Sequence, residues 1–184
     1  MRIIAGEHKG ARIFAPRGQD TRPTSDRVRE AAFNLIGPVD DASVLDLFAG
    51  SGAMGLEALS RGAASCVFVE SDREAAGAIE RNLEKLRLVG ATVLRLDAFT
   101  ALATETGAGR RYDLVLVDPP YGMFSRLEPS LAAYLPAVLA GDGLVVVETG
   151  AREEPALPLE LRTSRRYGSA RLTLFHHPVE RPDA

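Results

Sequence analysis

The sequence has few residues from which covalent or metal cross-links are built. Cys66 is the only cysteine among 184 residues, which excludes an internal disulfide framework and a zinc site made of several thiolates. Cys66 lies in an apolar segment, so we predict a small core residue. Of the three histidines, His176 and His177 have no third ligand at metal spacing and His8 lies in a basic turn. We therefore predict no metal site.

Long apolar segments are also missing. Four uncharged residues separate Arg2 from Glu7, too few for the core of a signal peptide. The apolar run 131–140 contains Pro136, and at ten residues it is shorter than the roughly 20 that span a bilayer. These features predict a soluble, cytoplasmic protein.

The charge is unevenly distributed along a chain whose length fits one domain. Residues 1–37 contain seven Lys/Arg and four Asp/Glu, whereas residues 38–184 contain fifteen and twenty-one. A basic segment ahead of an acidic body is typical of a polyanion-binding arm, and equally of a solvated surface.

From residue 43 onward, short apolar segments with β propensity alternate with helical ones. Runs such as 113–117 do not alternate in polarity, which indicates strands covered on both faces. We therefore predict an α/β fold with a doubly wound, mostly parallel sheet. Helices are predicted at 53–61, 73–88, 99–105 and 126–139, and strands at 43–48, 65–70, 91–96, 112–117, 143–148, 160–166 and 171–176, the last two forming a hairpin.

The front of the chain follows another pattern. Segments 2–5 and 11–15 flank a turn and predict a small β-hairpin. A linker at 19–23 precedes a helix that ends at Ile36 and begins after a cap at Thr24 or Ser25. We predict that residues 1–18 project as an appendage from a domain of residues 19–184.

A glycine-rich segment, 45–52, leads from a predicted strand into a helix. Gly50, Gly52 and Gly55 fit the G-x-G-x-x-G pattern, and Glu70 ends the next strand, where an acid that binds ribose hydroxyls is expected. Such glycines let a ligand approach the backbone at a helix N-terminus. Glycine turns also begin helices without binding a ligand, so the pattern alone does not identify a cofactor.

Four acidic residues lie near the end of, or directly after, four successive predicted strands, and their position favours S-adenosylmethionine over NAD. They lie at the carboxyl edge, where such sheets bind ligands. A carboxylate at Asp46 would repel a pyrophosphate but suits a cationic amino-acid group. Any one of them alone is typical of a solvated turn; the four are Asp46, Glu70, Asp97 and Asp118.

The segment Asp118-Pro119-Pro120-Tyr121 is the most specific signal. The lone pair of an exocyclic base amine is delocalised, and two acceptors for its N–H groups turn that lone pair toward a methyl donor. Asp118 and the Pro119 carbonyl supply two acceptors, and the prolines restrict the backbone. Tyr121 offers a face for a flipped base. A Pro-terminated strand with a buried tyrosine is the alternative.

With these motifs, the chain resembles the bacterial 16S rRNA guanine-N2 methyltransferase family, RsmD, within the Rossmann-like class I S-adenosylmethionine-dependent methyltransferases. The resemblance rests on segments 2–6, 21–30, 46–62 and 118–121, and it extends to about residue 175. It implies a seven-stranded sheet with an antiparallel last strand. It also implies methylation of one guanine in 16S rRNA, within the small ribosomal subunit or its assembly intermediate.

The resemblance also implies the site residues. The D-P-P-Y residues are catalytic. The predicted cofactor residues are Asp46, Phe48, Gly50, Ser51, Gly52, Glu70, Ser71, Asp97 and Ala98. The resemblance and the basic charge of the N-terminal segment together predict two groups of substrate-binding residues. Those in or beside the hairpin are Arg2, Lys9, Arg12 and Arg17. Those closer to the active site are Arg22, Thr24, Arg27 and Arg29.

Three alternatives stay open at this point. A DNA adenine-N6 or other amino methyltransferase shares the D-P-P-Y chemistry, although it normally needs a larger base-recognition region. An NAD-dependent oxidoreductase would use the glycine pattern. A noncatalytic RNA-binding or assembly module would not need the intact motif.

Overall fold

The structure is a computed structural model that describes residues 1–15 and 25–178. Within those ranges, no helix is long and apolar enough to cross a membrane. The elements are α1 (Asp26–Ile36), β1 (Ser43–Leu47), α2 (Ala53–Ser60), β2 (Ser65–Val69), α3 (Arg73–Leu86), β3 (Ala91–Leu94), α4 (Ala98–Gly107), β4 (Tyr112–Val117), α5 (Phe124–Val138), β5 (Leu139–Gly150), β6 (Glu160–Tyr167) and β7 (Ala170–His176).

The strands form one seven-stranded sheet in the order β3-β2-β1-β4-β5-β7-β6. β1 to β5 are parallel, and β7 is antiparallel to both β5 and β6. The doubly wound, mostly parallel sheet predicted from the sequence is therefore confirmed, including the closing hairpin.

Strand side chains alternate between two apolar clusters, one on each face of the sheet. In β1, Val44 packs into the first cluster, whereas Leu45 and Leu47 pack into the second. Helices α1, α2 and α3 cover the first face, through residues such as Leu56, and α4 and α5 cover the second, through residues such as Leu131. Because both faces are covered, the strands have nearly continuous apolar sequences.

The register of the strands brings the functional segments to one edge of the sheet. Val117, at the end of β4, pairs with Leu47 of β1 and with Val147 of β5. β5 continues to Gly150, which pairs with the first residue of β7. This edge, called here the carboxyl edge, therefore carries the residues that follow β1, β2 and β4 and also the β6–β7 turn.

Two strands, β3 and β5, differ from the prediction by more than one residue. β3 ends at Leu94, so Asp97 follows the strand by three residues and not by one. The intervening Leu96 is exposed, and the chain has left the sheet there. β5 begins at Leu139 rather than at residue 143, because Leu139 pairs with Tyr112 across an irregularity in the register.

The cap of α1 is Ser25, one of the two predicted residues. Its hydroxyl accepts a hydrogen bond from the N–H of Val28 at 3.2 Å. This bond satisfies one of the unpaired N–H groups at the helix start. The alternative cap, Thr24, and the linker at 19–23 lie outside the described residues.

The N-terminal hairpin forms, but it packs on the body and does not project. Arg2 and Arg12 form an antiparallel bridge, and the side chains of Ile3 and Ile13 are buried in the first apolar cluster. The prediction of a projecting arm is wrong because burial of these two isoleucines holds the hairpin against the domain. The division between residues 18 and 19 falls outside the described residues and stays a prediction.

The hairpin lies along α2, with its turn far from the carboxyl edge. At the turn, the N–H of Glu7 donates to the carbonyl of Ser60 at 2.7 Å, and the N–H of His8 donates to the Ser60 hydroxyl at 3.0 Å. At the open end, the hydroxyl of Ser51 is 3.9 Å from the sulfur of Met1. The eight residues of α2 separate the two ends by about 12 Å.

Candidate active site

The segment after β1 is a glycine loop, fixed by backbone conformation and by close packing. Gly52, the first residue before α2, has a φ of +76°, which L side chains rarely adopt. At Gly55, a Cβ would lie 2.3 Å from the Phe68 ring and 2.7 Å from the sulfur of Cys66. A side chain there would push α2 off β2. The strand-to-helix turn is as predicted, and Cys66 is a buried core residue.

Asp46 lies beneath this loop and is almost fully buried. Its carboxylate accepts a hydrogen bond from the N–H of Gly55, in the first turn of α2, at 2.9 Å. Burial raises the pKa of Asp46 from 3.8 to about 7, the Gly55 bond lowers it, and the charges of Asp118 and Glu70 raise it further. The contact that the structure shows for this carboxylate is with α2. Its predicted contact with a cofactor stays a prediction.

The position of Asp46 predicts a pH dependence of folding stability. Between about pH 4 and pH 7 the folded protein retains a proton on Asp46 that the unfolded chain has lost. The stabilisation from this proton is complete below about pH 4 and disappears as the pH rises through about 7. Asp46→Asn keeps an acceptor for Gly55 but does not titrate. Urea unfolding at about pH 5 and about pH 7.5 should show a smaller loss of stability in the variant; equal losses would contradict this assignment.

Glu70, directly after β2, joins the glycine loop to the start of α3. One carboxylate oxygen accepts the N–H of Gly50 at 2.7 Å, and the other accepts the N–H of Asp72 at 2.8 Å. The half-buried carboxylate therefore fixes the loop conformation, a role that the sequence does not predict. Its predicted contact with ribose hydroxyls stays a prediction.

Asp97 is the exposed N-cap of α4. Its carboxylate accepts the N–H groups of Phe99 and Thr100 at 3.1 and 3.0 Å and also the Thr100 hydroxyl. The Thr100 bonds hold the pKa of Asp97 below its usual 3.8. Capping is the role that the structure shows, and contact of Asp97 and Ala98 with adenine stays a prediction. The other predicted cofactor residues are half-buried Phe48 and Ser51 in the loop and exposed Ser71 after Glu70.

The D-P-P-Y segment begins at the end of β4 and leaves its aromatic ring exposed. Half-buried Asp118 follows the strand directly, the first proline is buried, and the second is exposed. Tyr121 is 87% exposed, so the alternative of a buried tyrosine is wrong. Its ring lies beside β5, because a Cβ built on Gly150 would be 3.4 Å from ring atom Cε2. An acid, a carbonyl and an aromatic face therefore meet at the carboxyl edge.

Three of the four predicted edge acids form a group. The charges of Asp118 and Glu70 both raise the pKa of Asp46, which places both carboxylates near it. Asp97 is not among the groups that act on Asp46, because it follows β3, two strands away from β1. Two strand spacings correspond to about 10 Å.

Arg29, one of the residues predicted to bind substrate, is fully buried. Its guanidinium donates to the main-chain carbonyl of Arg2 at 2.5 Å and forms ion pairs with Asp26 at 3.0 Å and with Glu57 at 3.7 Å. The prediction that Arg29 binds substrate is wrong, because the side chain has no exposed surface and holds the hairpin to α1 and α2.

The other predicted substrate residues are dispersed. Arg2 is paired with Asp26 at 3.1 Å, and exposed Lys9 follows the hairpin turn at the far end of α2. Arg12 and Arg27 are exposed. Three further residues lie outside the described ranges and keep their roles as predictions: Arg17, Arg22 and Thr24.

Asn82 connects the N-terminal segment to the glycine loop, and no motif in the sequence points to it. This buried side chain of α3 accepts the N–H of Phe14 at 2.7 Å and donates to the carbonyls of Phe14 at 3.0 Å and Ser51 at 3.4 Å. The one feature of the sequence that could have indicated Asn82 is its polarity. It lies between Ile79 and Leu86 on the apolar face of the amphipathic helix α3.

Comparison with known proteins identifies the family of this chain. A family model described as "Conserved hypothetical protein 95" matches residues 1–176. The chain belongs to this family, the RsmD family. The Ribosomal RNA small subunit methyltransferase D of Escherichia coli K12 is 44% identical over 122 residues, which cover 66% of this chain and 60% of that relative.

Solved structures confirm the fold of this RsmD-family chain. The yhhF protein from Escherichia coli superposes with a TM-score of 0.83 at 35% identity, over 98% of this chain and 99% of that chain. SMU.776, solved in complex with SAH, superposes with a TM-score of 0.63 over 80% of this chain and 48% of that chain. At 17% identity, the second likeness shows the fold alone.

No group of three metal-ligating side chains occurs within residues 1–15 and 25–178. His177 contacts the carbonyl of Leu139 at 3.2 Å. His176 contacts the carbonyl of His177 at 2.6 Å. The prediction that the protein uses no metal stays a prediction.

Proposed function

We propose that this protein transfers a methyl group from S-adenosylmethionine to the exocyclic N2 amine of a guanine in 16S rRNA. The observation that carries the proposal is the position of Asp118 and exposed Tyr121 at the end of β4, next to the glycine loop of β1. The similarity to the small-subunit rRNA methyltransferase D of Escherichia coli supports small-subunit rRNA as the substrate. The choice of guanine N2 rests on the resemblance in sequence.

The glycine loop has the donors and acceptors that S-adenosylmethionine requires. A Cβ built on Gly50 would have only the carbonyl of Phe48 within 4 Å, at 3.9 Å, so the backbone at Gly50 is open to a ligand. Glu70 lies beside this loop as an acceptor for hydroxyls, and the carboxylates of Glu70 and Asp118 favour a cationic ligand. When bound, this cofactor supplies a methyl group activated by a sulfonium.

The D-P-P-Y residues orient the target amine. The Asp118 carboxylate and the Pro119 carbonyl accept the two N–H groups of N2, which turns the nitrogen lone pair toward the glycine loop. Tyr121 stacks on the flipped base and fixes its plane. Asp118 then accepts the proton that the methylated amine releases. Catalysis in this scheme is positioning and electrostatic stabilisation, without a covalent enzyme intermediate.

We further propose that the protein acts in the cytoplasm, on rRNA within a small ribosomal subunit or its assembly intermediate. Incubation with labelled S-adenosylmethionine and unmethylated small subunits should label the 16S rRNA. Large subunits serve as the control and should stay unlabelled. The absence of label from small subunits and from their naked rRNA would contradict the proposal.

We expect Glu70→Ala to weaken S-adenosylmethionine binding by about tenfold to 100-fold. The substitution removes the acceptor for a charge-assisted bond of about 1.5–3 kcal/mol and releases the N–H of Gly50. Calorimetric titration gives the affinity directly. Glu74→Ala is the matched control, because Glu74 is an exposed acid in the first turn of α3. Equal affinities in the two variants would remove Glu70 from the cofactor site.

A further inference from the structure

The structure contains a basic surface at the carboxyl edge that the sequence motifs do not assign. We call it the edge arginine surface, and it consists of Arg152, Arg165 and Arg166. All three side chains are exposed. Arg152 follows Gly150 by two residues, and the other two are near the end of β6.

The strand register places this surface beside the D-P-P-Y segment. Gly150, which lies against the Tyr121 ring, pairs with Ala170 of β7, and Ala170 pairs with Tyr167 of β6. Two strand spacings, or about 10 Å, therefore separate Gly150 from Tyr167. Arg165 is two residues before Tyr167, so it lies on the same face of the sheet as the Tyr121 ring beside Gly150, whereas Arg166 lies at the same edge on the opposite face. Lys9 of the hairpin lies near the far end of α2.

Buried Arg171 holds the edge arginine surface in place. Its guanidinium donates to the Ser164 hydroxyl at 2.9 Å, to the carbonyl of Ala151 at 3.3 Å and to Glu154 at 3.0 Å. These bonds connect β6 and β7 to the turn that follows β5. The surface is therefore built on fixed backbone.

The acidic residues nearest to this surface are engaged within the protein. Glu153 accepts the N–H of Gly150 at 3.0 Å. Glu154 is 3.0 Å from buried Arg171 and 3.9 Å from Arg166. The charge of Glu154 is thus compensated by buried Arg171. In addition, β6 is the last strand of the sheet, and most of its side chains on both faces are exposed.

We propose that the edge arginine surface binds rRNA phosphates flanking the target guanine, while Tyr121 contacts the base. This inference rests on the proposed function. Exposed guanidinium groups next to a base-stacking tyrosine fit a single-stranded polyanion, and phosphate contacts fix the register of a nucleic acid on its protein. In this arrangement the strand crosses the ends of β4, β5, β7 and β6, away from the hairpin turn.

The test compares two arginines on one strand. Arg165→Gln and Arg162→Gln remove the same charge from β6, but Arg162 lies three residues away, about 10 Å, toward the end that pairs with His176. The affinity for unmethylated small subunits is measured at several salt concentrations. Arg165→Gln should flatten the slope of log affinity against log salt by about 0.7–0.9, and the double variant with Arg166→Gln by about twice that amount. Arg162→Gln should leave the slope unchanged.

Other outcomes would overturn the inference. One is a double variant whose slope equals that of the wild type. The other is an Arg162→Gln variant that flattens the slope as much as the test variant, because this would show that only the overall charge matters. Calorimetry with S-adenosylmethionine checks that each variant folds and keeps its cofactor site. Methyl transfer by the wild-type protein separates the two hypotheses. If it transfers methyl groups but the slopes do not differ, only the surface assignment fails, whereas absence of transfer with differing slopes contradicts only the proposed function.

Discussion

Asp118→Asn should reduce methyl transfer by about 100-fold to 1,000-fold, while the affinity for S-adenosylmethionine stays close to that of the wild type. The amide has the size of the carboxylate, but it loses the charge and keeps a single acceptor oxygen. One lost contact of this type in the transition state costs about 2.7–4 kcal/mol. Single-turnover transfer with saturating cofactor measures the rate, and calorimetry measures the affinity.

The matched control for this substitution is Asp113→Asn. Asp113 lies in the same strand, β4, but near its opposite end, where its carboxylate accepts the N–H and the hydroxyl of Ser43 at 2.8 and 2.7 Å. An asparagine oxygen can accept the same bonds. We expect a nearly normal rate for this variant. A wild-type rate for Asp118→Asn would show that the D-P-P-Y mechanism does not operate here.

Glu57→Ala should destabilise the fold by about 3–5 kcal/mol, because it breaks a buried ionic cluster. The carboxylate of Glu57 accepts the N–H groups of Ile4 and Ala5 at 2.8 and 2.9 Å and pairs with Arg61 at 2.8 Å. It is also 3.7 Å from the guanidinium of buried Arg29. Removing it leaves part of a buried positive charge and two N–H groups without their partner.

Urea denaturation measures this loss. Glu80→Ala is the control, since Glu80 is an exposed helical glutamate in α3, and such surface changes usually alter stability by less than about 0.5 kcal/mol. Equal stabilities of the two variants would show that the hairpin does not depend on the cluster.

The sheet and its carboxyl edge were predictable from local patterns. Strands buried on both faces have apolar runs such as residues 114–117, and parallel strands bring the residues after them to a common edge. The positions of Glu70 and Asp118 therefore follow from strand ends alone, whereas Asp46 lies within β1 and is buried. Asp97 was misplaced relative to its strand, because the pattern does not show that Leu96 is already outside the sheet.

The packing of the N-terminal hairpin was not predictable from the charge count. Seven basic residues in the first 37 indicate a polyanion-binding segment only if their side chains reach the surface. Arg29 does not, since it is buried against Glu57, a residue 28 positions later in the chain. Partners that far apart in sequence are set by tertiary packing. For the same reason, the contacts of Asn82 with Phe14 and Ser51 could not be predicted from the sequence.

The most direct test of the central claim is the identity of the methylated nucleoside. Unmethylated small ribosomal subunits are incubated with the protein and labelled S-adenosylmethionine, and the 16S rRNA is digested and separated into nucleosides. The proposed chemistry at Asp118 and Tyr121 predicts that the label co-migrates with N2-methylguanosine and is absent with Asp118→Asn. Label in N6-methyladenosine, or in any nucleoside other than N2-methylguanosine, would contradict it.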